Sequence, residues 1–404
     1  MRPKSDDLLV VAAAYLHGQQ KTQEAIAASL GVSQPLVSRL IARARQDGIL
    51  RTATTFVEDR VDPKELERAK AKIRRGPLQE VLTKIGDGAV EPPVLHIFPS
   101  HSRTTSRLTW QFRIEEFCNV CASDLMEVIE SSSVIGVAWG RTIAKAIGAM
   151  DQKKRPSEGR APAQAKKTVI PLLGEPLGRS AHEYSSSVLA YRLAEALDPN
   201  TQLSEILSLA PVPAMIPADM TKGEVRAIRK LIGKITAYRQ IYGTDQEESK
   251  GKDQREPWID RVDAILTSIS PQERPLGFDD DLLIRAAEID RGRFNNLILG
   301  DLCGVVIPRS NLDNAAKAEV ENIMARWTGV KMGHLQDCAR RALNRTPDRA
   351  PGVIVLAIGA NKATVVYEAL RKGLIQHLFT DEDLADRLEQ ICSKPGAGRN
   401  YSKS

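Results

Sequence analysis

From about residue 94 onward the chain alternates short runs of β-branched and aliphatic residues with stretches of helical spacing, and this alternation constrains the fold most. The runs cover residues 94–98, 134–137, 169–173, 264–268, 297–299, 353–358 and 376–379. Most are apolar at successive positions, so both faces of each strand need cover. Strands of that kind separated by helices predict an α/β body, a mostly parallel, doubly wound sheet with helices packed against it. Such sheets bind ligands beyond the carboxyl ends of their strands. The residues that follow each run are therefore the candidates for a site.

After 134–137 come Ala138, Trp139, Gly140, Arg141 and Thr142, then a helix. A glycine lets the backbone approach a ligand, and a helix start offers unpaired N–H groups, so this turn suits a phosphate. Arg141 adds charge and Thr142 a hydroxyl. The next run is followed by Gly174 and Glu175, and the run 297–299 by Gly300, Asp301, Leu302, Cys303 and Gly304, an acid between glycines. Residues 353–358 lead into Gly359, Ala360, Asn361 and Lys362, again before a helix. The last run ends on Phe379, Thr380 and Asp381, where Thr380 is also placed to cap a helix. A glycine after one strand is an ordinary turn; five such loops in one body carry more weight. Arg141 and Lys362 suit an anion, while Glu175 and Asp301 suit hydroxyls. A phosphorylated sugar presents both.

The N-terminal segment follows different rules. Residues 5–16 predict a helix with Leu8, Leu9, Ala12 and Leu16 on its inner face. Thr22 is placed to cap a second short helix with Ala25, Ile26 and Leu30 inward, and Gly31 suits the left-handed exit from it. Ser33 is placed to cap a third helix over 34–47, with Pro35 in its first turn and Val37, Leu40, Ile41 and Ala44 as its apolar stripe. Gly48 stops it, and Ile49 and Leu50 begin an extended wing. A short helix, a glycine turn and a capped helix with polar residues outward is a helix-turn-helix, the geometry that enters a major groove of double-stranded DNA. Gln34 and Arg39 can contact base edges in bidentate fashion. Ser33, Ser38 and Arg43 suit phosphates, which fix register, and Thr22 and Pro35 are expected in the same DNA-binding set. One recognition helix buries little DNA, so a homo-oligomer reading paired half-sites is expected.

Composition narrows the classes further. The net charge of +6 fits a polyanionic partner, and aromatics at 4% speak against base-stacking platforms. Cys118 and Cys121 form a lone CxxC without further ligands nearby, and zinc needs four, so no metal or cofactor is expected. Five scattered cysteines do not make a disulfide framework. With no apolar run near the ~18 residues of a membrane span, a cytoplasmic protein is expected. The basic runs at 153–155 and 166–167 read as solvated loops. The apolar residues Val225, Ile228, Ile232 and Ile235 lie on a single expected helix over 222–241. The organisation expected is a winged helix-turn-helix at 1–52, a charged helical linker at 53–92 and an effector domain at 93–395.

Residues 23–50 closely resemble the DNA-binding head of the SorC family of bacterial sugar-responsive regulators. Residues 134–142, Val-Ile-Gly-Val-Ala-Trp-Gly-Arg-Thr, resemble that family's first effector-domain signature. Residues 169–174 resemble its second, 300–304 a third, and 353–382 its C-terminal one. The resemblance implies a sugar-binding domain related to glucosamine-phosphate and ribose-phosphate isomerase folds, no catalysis, and commonly a tetramer. It also implies that Gly140, Arg141, Thr142 and Lys362 hold an effector phosphate. The chain departs from the family at Ser268-Ile269-Ser270-Pro271, where a glycine-rich turn is usual, and at Gly359-Ala360-Asn361, where the family pairs glycines. Two alternatives stay open: an isomerase carrying a DNA-binding head, and a DNA binder independent of any effector. Against the enzyme, His17, His96, His101, His182, His334 and His377 all lie outside the five loops.

Overall fold

The computed structural model describes residues 5–19, 21–50, 61–62, 92–99, 107–153, 167–175, 184–198, 200–202, 206–243, 256–271, 289–344 and 350–393, with positions 66, 69, 78 and 82 besides. The wing expected after Leu50 lies outside the described residues.

Three helices form the head: α1 (Ser5–Gly18), α2 (Gln23–Leu30) and α3 (Gln34–Gln46). Their shared core includes Val11, Ala12, Leu16, Ile26, Leu30, Val37, Leu40, Ile41 and Ala44. Ala25, expected inward, is exposed, and Ala27 takes the inner position. The reason is angular: Ala27 is next to Ile26 and one turn before Leu30, while Ala25 falls on the solvent side of the first turn.

Among the described residues the body carries eight strands in one sheet. They are β1 (Val94–Phe98), β2 (Val134–Val137), β3 (Thr168–Pro171), β4 (Ala264–Pro271), β5 (Ile298–Leu302), β6 (Val305–Pro308), β7 (Gly352–Ala357) and β8 (His377–Asp381). The order β1-β8-β7-β4-β2-β3 is parallel throughout. Strands β5 and β6 form an antiparallel hairpin on the far end of β4, pairing Ile269 with Leu302, Ser270 with Asp301 and Pro271 with Gly300. Residues 268–271 are therefore strand, and β6 is a strand that the alternation of runs did not announce.

The alternation of side chains sorts the strands' residues between two cores. Ile135, Val137, Leu266, Ile354 and Leu356 face one cluster with α4 (Arg107–Glu130), α5 (Arg141–Gln152) and α6 (Ser186–Leu197). Ile265, Val353, Val355 and Ala357 face the other. There they meet α10 (Asn314–Arg326), α11 (Met332–Asn344), α12 (Ala363–Arg371) and α13 (Glu382–Cys392). Both faces are thus covered by helices, as runs apolar at successive positions demand. A short helix α9 (Arg291–Leu297) precedes β5.

The single helix expected over 222–241 is two, α7 (Lys222–Ile232) and α8 (Thr236–Tyr242), separated at Gly233. Of the stripe, Ile232 is buried and Val225, Ile228 and Ile235 are half-buried. In the segment between head and body, Leu66 and Ala69 join the head's core, while Leu78 and Leu82 join the body's. Among the described residues no single helix is long and apolar enough to cross a membrane.

Candidate functional site

Two places gather the residues singled out from the sequence. In the head, Thr22 caps α2, its Oγ1 accepting from the Ala25 N–H at 3.2 Å. Gly31 leaves α2 at φ 62°, returning its N–H to the carbonyls of Ala27 and Ala28. The chain then turns so that α2 and α3 lie 103° apart, within the range of a helix-turn-helix. Ser33 stands at the start of α3 with extended backbone, but its side chain makes no capping bond. With α3's stripe buried, Ser33, Gln34, Pro35, Ser38, Arg39 and Arg43 are all exposed, as is Thr22. Gln34 is steadied by Gln23, Nε2 to Oε1 at 2.8 Å, and Arg43 reaches Asp47 at 3.6 Å. Arg45 turns back toward His17 at 3.4 Å; burial first, then this guanidinium, lowers the pKa of that imidazole.

In the body, the ends of β2, β7 and β8 converge. Gly140 begins α5 at φ 127°, and a Cβ there would stand 3.3 Å from Ser268 Oγ. No side chain caps this helix start. Arg141 is half-buried; Thr142 is buried, with its carbonyl accepting from Cys118 Sγ at 3.5 Å. After β7, Gly359 adopts φ 91° and lies against Trp110, whose ring atom a Cβ would meet at 2.6 Å. Ala360–Lys362 then form a 3-10 turn into α12. Asn361 lies over Gly359, its Oδ1 2.9 Å from that same Cβ position.

Lys362 is the electrical centre of the crevice. Burial of its ammonium lowers the pKa to about 8. Asp381 and Asp301 oppose that shift and Arg141 adds to it. Among the described residues no ion pair closes on this ammonium.

Asp301 was expected in a loop; it lies inside β5, buried and opposite Ser270. Its Oδ2 accepts from the Gly304 N–H at 3.0 Å and closes the β5–β6 turn, where Cys303 and Gly304 both have positive φ. Gly174 and Glu175 sit in a different arrangement. A Cβ on Gly174 would come within 2.3 Å of the Val212 carbonyl, so this glycine admits a neighbouring strand of chain. Glu175 bonds that segment through its backbone, and its carboxylate accepts from Ser185 Oγ at the start of α6. Glu175 is not among the charges acting on Lys362.

Two residues that the sequence did not assign to the site, Asp381 from the fifth loop and Arg113, organise the crevice. Asp381 caps α13: Oδ1 accepts from Leu384 N at 3.1 Å and Gly359 N at 2.9 Å, while Oδ2 accepts from Arg113 at 2.8 Å. The expected cap, Thr380, is fully buried and bonds only locally. Burial raises the Asp381 pKa against the opposing pull of its two backbone donors and Arg113. Arg113, from α4, also bonds Asp383 at 2.6 Å and stacks over Trp110. Nothing in its local sequence marks Arg113, because its partners are far along the chain. Cys118 and Cys121 are buried, with Cys118 pushed up to about 12 by burial. Among the described residues no cluster of His, Cys, Asp and Glu is arranged to hold a metal.

No family model matches the chain. By sequence it is 26% identical over 212 residues to the sorbitol operon regulator of Klebsiella pneumoniae, covering 52% of this chain and 57% of that protein. By structure it matches the full-length sorbitol operon regulator SorC of K. pneumoniae with TM-score 0.52 and 20% identity, over 95% of this chain and all (100%) of that one. It also matches a probable sor operon regulator from Shigella flexneri and a DeoR family transcriptional regulator from Listeria monocytogenes. Each of these has TM-score 0.50 and 17% identity, over 77% of this chain and 98% of the other. At these identities the structural matches establish a shared fold, and each of these relatives is named as a regulator. Sequence match and shared architecture together make this chain similar to the sorbitol operon regulator SorC in fold and, over about half its length, in sequence.

Proposed function

We propose that this chain is a DNA-binding transcriptional regulator of a carbohydrate-related operon, whose affinity for its operator is set by a phosphorylated sugar bound in the body. The observation that carries the effector half is the Lys362 ammonium, held beside Arg141, Asp301 and Asp381 at the strand ends with no ion pair closing on it among the described residues. A phosphate supplies the anion that Lys362 lacks among the described residues, and the uncapped start of α5 supplies N–H donors at Arg141 and Thr142, with Gly140 letting the ligand come close. Asp301 and Asn361 are placed to receive sugar hydroxyls. Gly174 and Glu175 support the wall of the crevice rather than its floor.

The DNA half rests on α3, whose exposed face carries Gln34, Ser38, Arg39 and Arg43 at right angles to α2. Thr22, Ser33 and Pro35 set the approach to the backbone. On this reading residues 1–52 are the head, 53–92 a connector and 93–395 the effector domain, and the chain acts as a dimer or tetramer on paired half-sites.

The test is binding to DNA upstream of its own operon at fixed salt, with and without a panel of phosphorylated sugars and polyols. A change of affinity or stoichiometry with one compound supports the proposal. Specific binding that no compound alters removes the effector half, and indifference to DNA sequence removes both.

A further inference from the structure

The body has a second basic surface, remote in sequence from the head. Between residues 222 and 239 the chain places Lys222, Arg226, Arg229, Lys230, Lys234 and Arg239 against a single carboxylate, Glu224. All six cations are exposed. Glu224 is spent on the capping box of α7, accepting from Thr221 N at 2.8 Å and Thr221 Oγ1 at 2.7 Å. Among the described residues none of the six cations forms an ion pair. Surface charges are ordinarily interspersed with their opposites, so an unneutralised run of this length calls for a polyanion.

Helix geometry aligns the charges. At 3.6 residues per turn, Lys222, Arg226, Arg229 and Lys230 fall within an arc of roughly 100° and extend over about 12 Å. Val225, Ile228 and Ile232 occupy the other side, and Ile228 and Ile232 pack on the body's core. The ridge is also rigidly mounted. Tyr238 Oη donates to the Thr328 carbonyl at 3.1 Å and Tyr242 Oη to the Leu172 carbonyl at 2.5 Å, while Arg229 bonds the Ala325 carbonyl. A charged face held in place loses little entropy on meeting its partner.

We infer that the outer face of α7 and the turn to α8 is a second contact for the DNA phosphate backbone, engaging duplex beyond the bases read by α3. The inference rests on the proposed DNA-binding function. Duplex DNA is favoured because it offers one negative charge per roughly 1.7 Å of axis, a density that an unpaired cationic ridge matches.

The experiment compares the full-length chain with its K222Q/R226Q/K230Q variant, which spares Arg229 and its bond to Ala325. Binding to a mixed-sequence duplex of about 40 base pairs is followed by fluorescence anisotropy across a series of salt concentrations. Each lost phosphate contact flattens the slope of log K against log salt by about 0.9, so about 2.7 is expected here, with affinity down about tenfold or more at low salt. A Lys222→Arg/Lys230→Arg variant should keep the original slope. An unchanged slope in the triple variant, with melting temperature preserved, overturns the inference and leaves the head's role standing. A lowered molecular mass in solution assigns the ridge to contact between copies, or an unchanged slope with loss of an acidic protein ligand to that partner; either overturns it too. If the unmodified chain binds no duplex at all, the regulator reading itself falls.

Discussion

The head and the crevice each present arginine and lysine to an anion, but they do so under opposite physical conditions. On α3 the cations are exposed, and Arg43 pairs with Asp47 at 3.6 Å across one helical turn. Such charges act singly, in high dielectric, and salt screens them. In the crevice Asp381, Asp301 and Arg141 all act on the Lys362 ammonium, and Arg113 locks Asp381 from a helix far away in sequence. There a single substitution disturbs the whole set. The head is built to be read additively, contact by contact, whereas the crevice works as one unit.

The comparison can be broken most severely through glycine. Gly31 in the head and Gly304 behind the crevice both have positive φ, 62° and 72°. A Cβ on Gly31 meets nothing within 4 Å, whereas on Gly304 it would lie 2.0 Å from the Trp327 ring. Gly304→Ala should therefore cost about 3 kcal/mol or more, combining backbone strain with an unavoidable clash. Gly31→Ala should cost about 1 kcal/mol, from strain alone. All four tryptophans lie beyond residue 92, so tryptophan fluorescence in urea reports the body, and hydrogen exchange on α2 amides reports the head. Equal costs at the two positions would show that the crevice wall is as yielding as the head's turn.

The next test uses the crevice's charge. Because the Lys362 pKa is lowered to about 8 from 10.5, the unfolded chain binds the extra proton between those values. Stability contributed at this site therefore rises with pH across that window. Lys362→Gln should then leave the body at least as stable at pH 7, while a phosphorylated effector binds about tenfold to a hundredfold more weakly. Effector affinity of the unaltered chain should fall as pH rises above about 8, as the ammonium deprotonates, and Lys362→Arg should abolish that fall. Isothermal titration across pH 6–9 on either side of that value would decide it. A flat profile would remove Lys362 from the phosphate's partners.

What the sequence made legible follows the same division. The seven runs announced seven of the strands because residues buried on both faces must be apolar at every step, and that is a local property. Strand β6 was missed because the turn before it, Cys303 and Gly304, lacks the usual Asn-Gly or Asp-Gly pair and takes its geometry from the Asp301 carboxylate. The break at Gly233 was missed because the apolar spacing continues across it. In the crevice, Gly140, Arg141, Asn361 and Lys362 could be found from position after a strand. Asp381's bonds to Gly359, Leu384 and Arg113 are products of the fold, with no counterpart in spacing. The head's exposed face was legible almost completely, since three short helices bury one stripe each and leave the rest to solvent.

On that face, Arg39→Ala should cost about 1–3 kcal/mol of operator binding and relax sequence preference if its guanidinium meets a guanine. An equal loss on all duplexes would make it a phosphate contact instead. The additivity that separates head from crevice is testable here as well. Arg39→Ala and Arg43→Ala combined should lose about the sum of their separate effects within roughly 0.5 kcal/mol. Arg141→Ala and Lys362→Ala combined should lose clearly less effector affinity than theirs.

The smallest effect separates two hydroxyls that the sequence treats alike. Thr22 and Ser33 both precede a helix, but only Thr22 accepts a bond from the first turn, from Ala25 N at 3.2 Å. Thr22→Ala should destabilise the head by about 1 kcal/mol, seen as faster exchange of the α2 amides. Ser33→Ala removes no capping bond, so its effect on stability should stay within about 0.5 kcal/mol. If its hydroxyl contacts a phosphate, DNA affinity should fall and the salt dependence stay nearly the same, because a neutral donor displaces no counterion. Destabilisation by Ser33→Ala equal to that of Thr22→Ala would mean that the hydroxyl caps α3 after all, and the exposed face would lose one of its contacts to DNA.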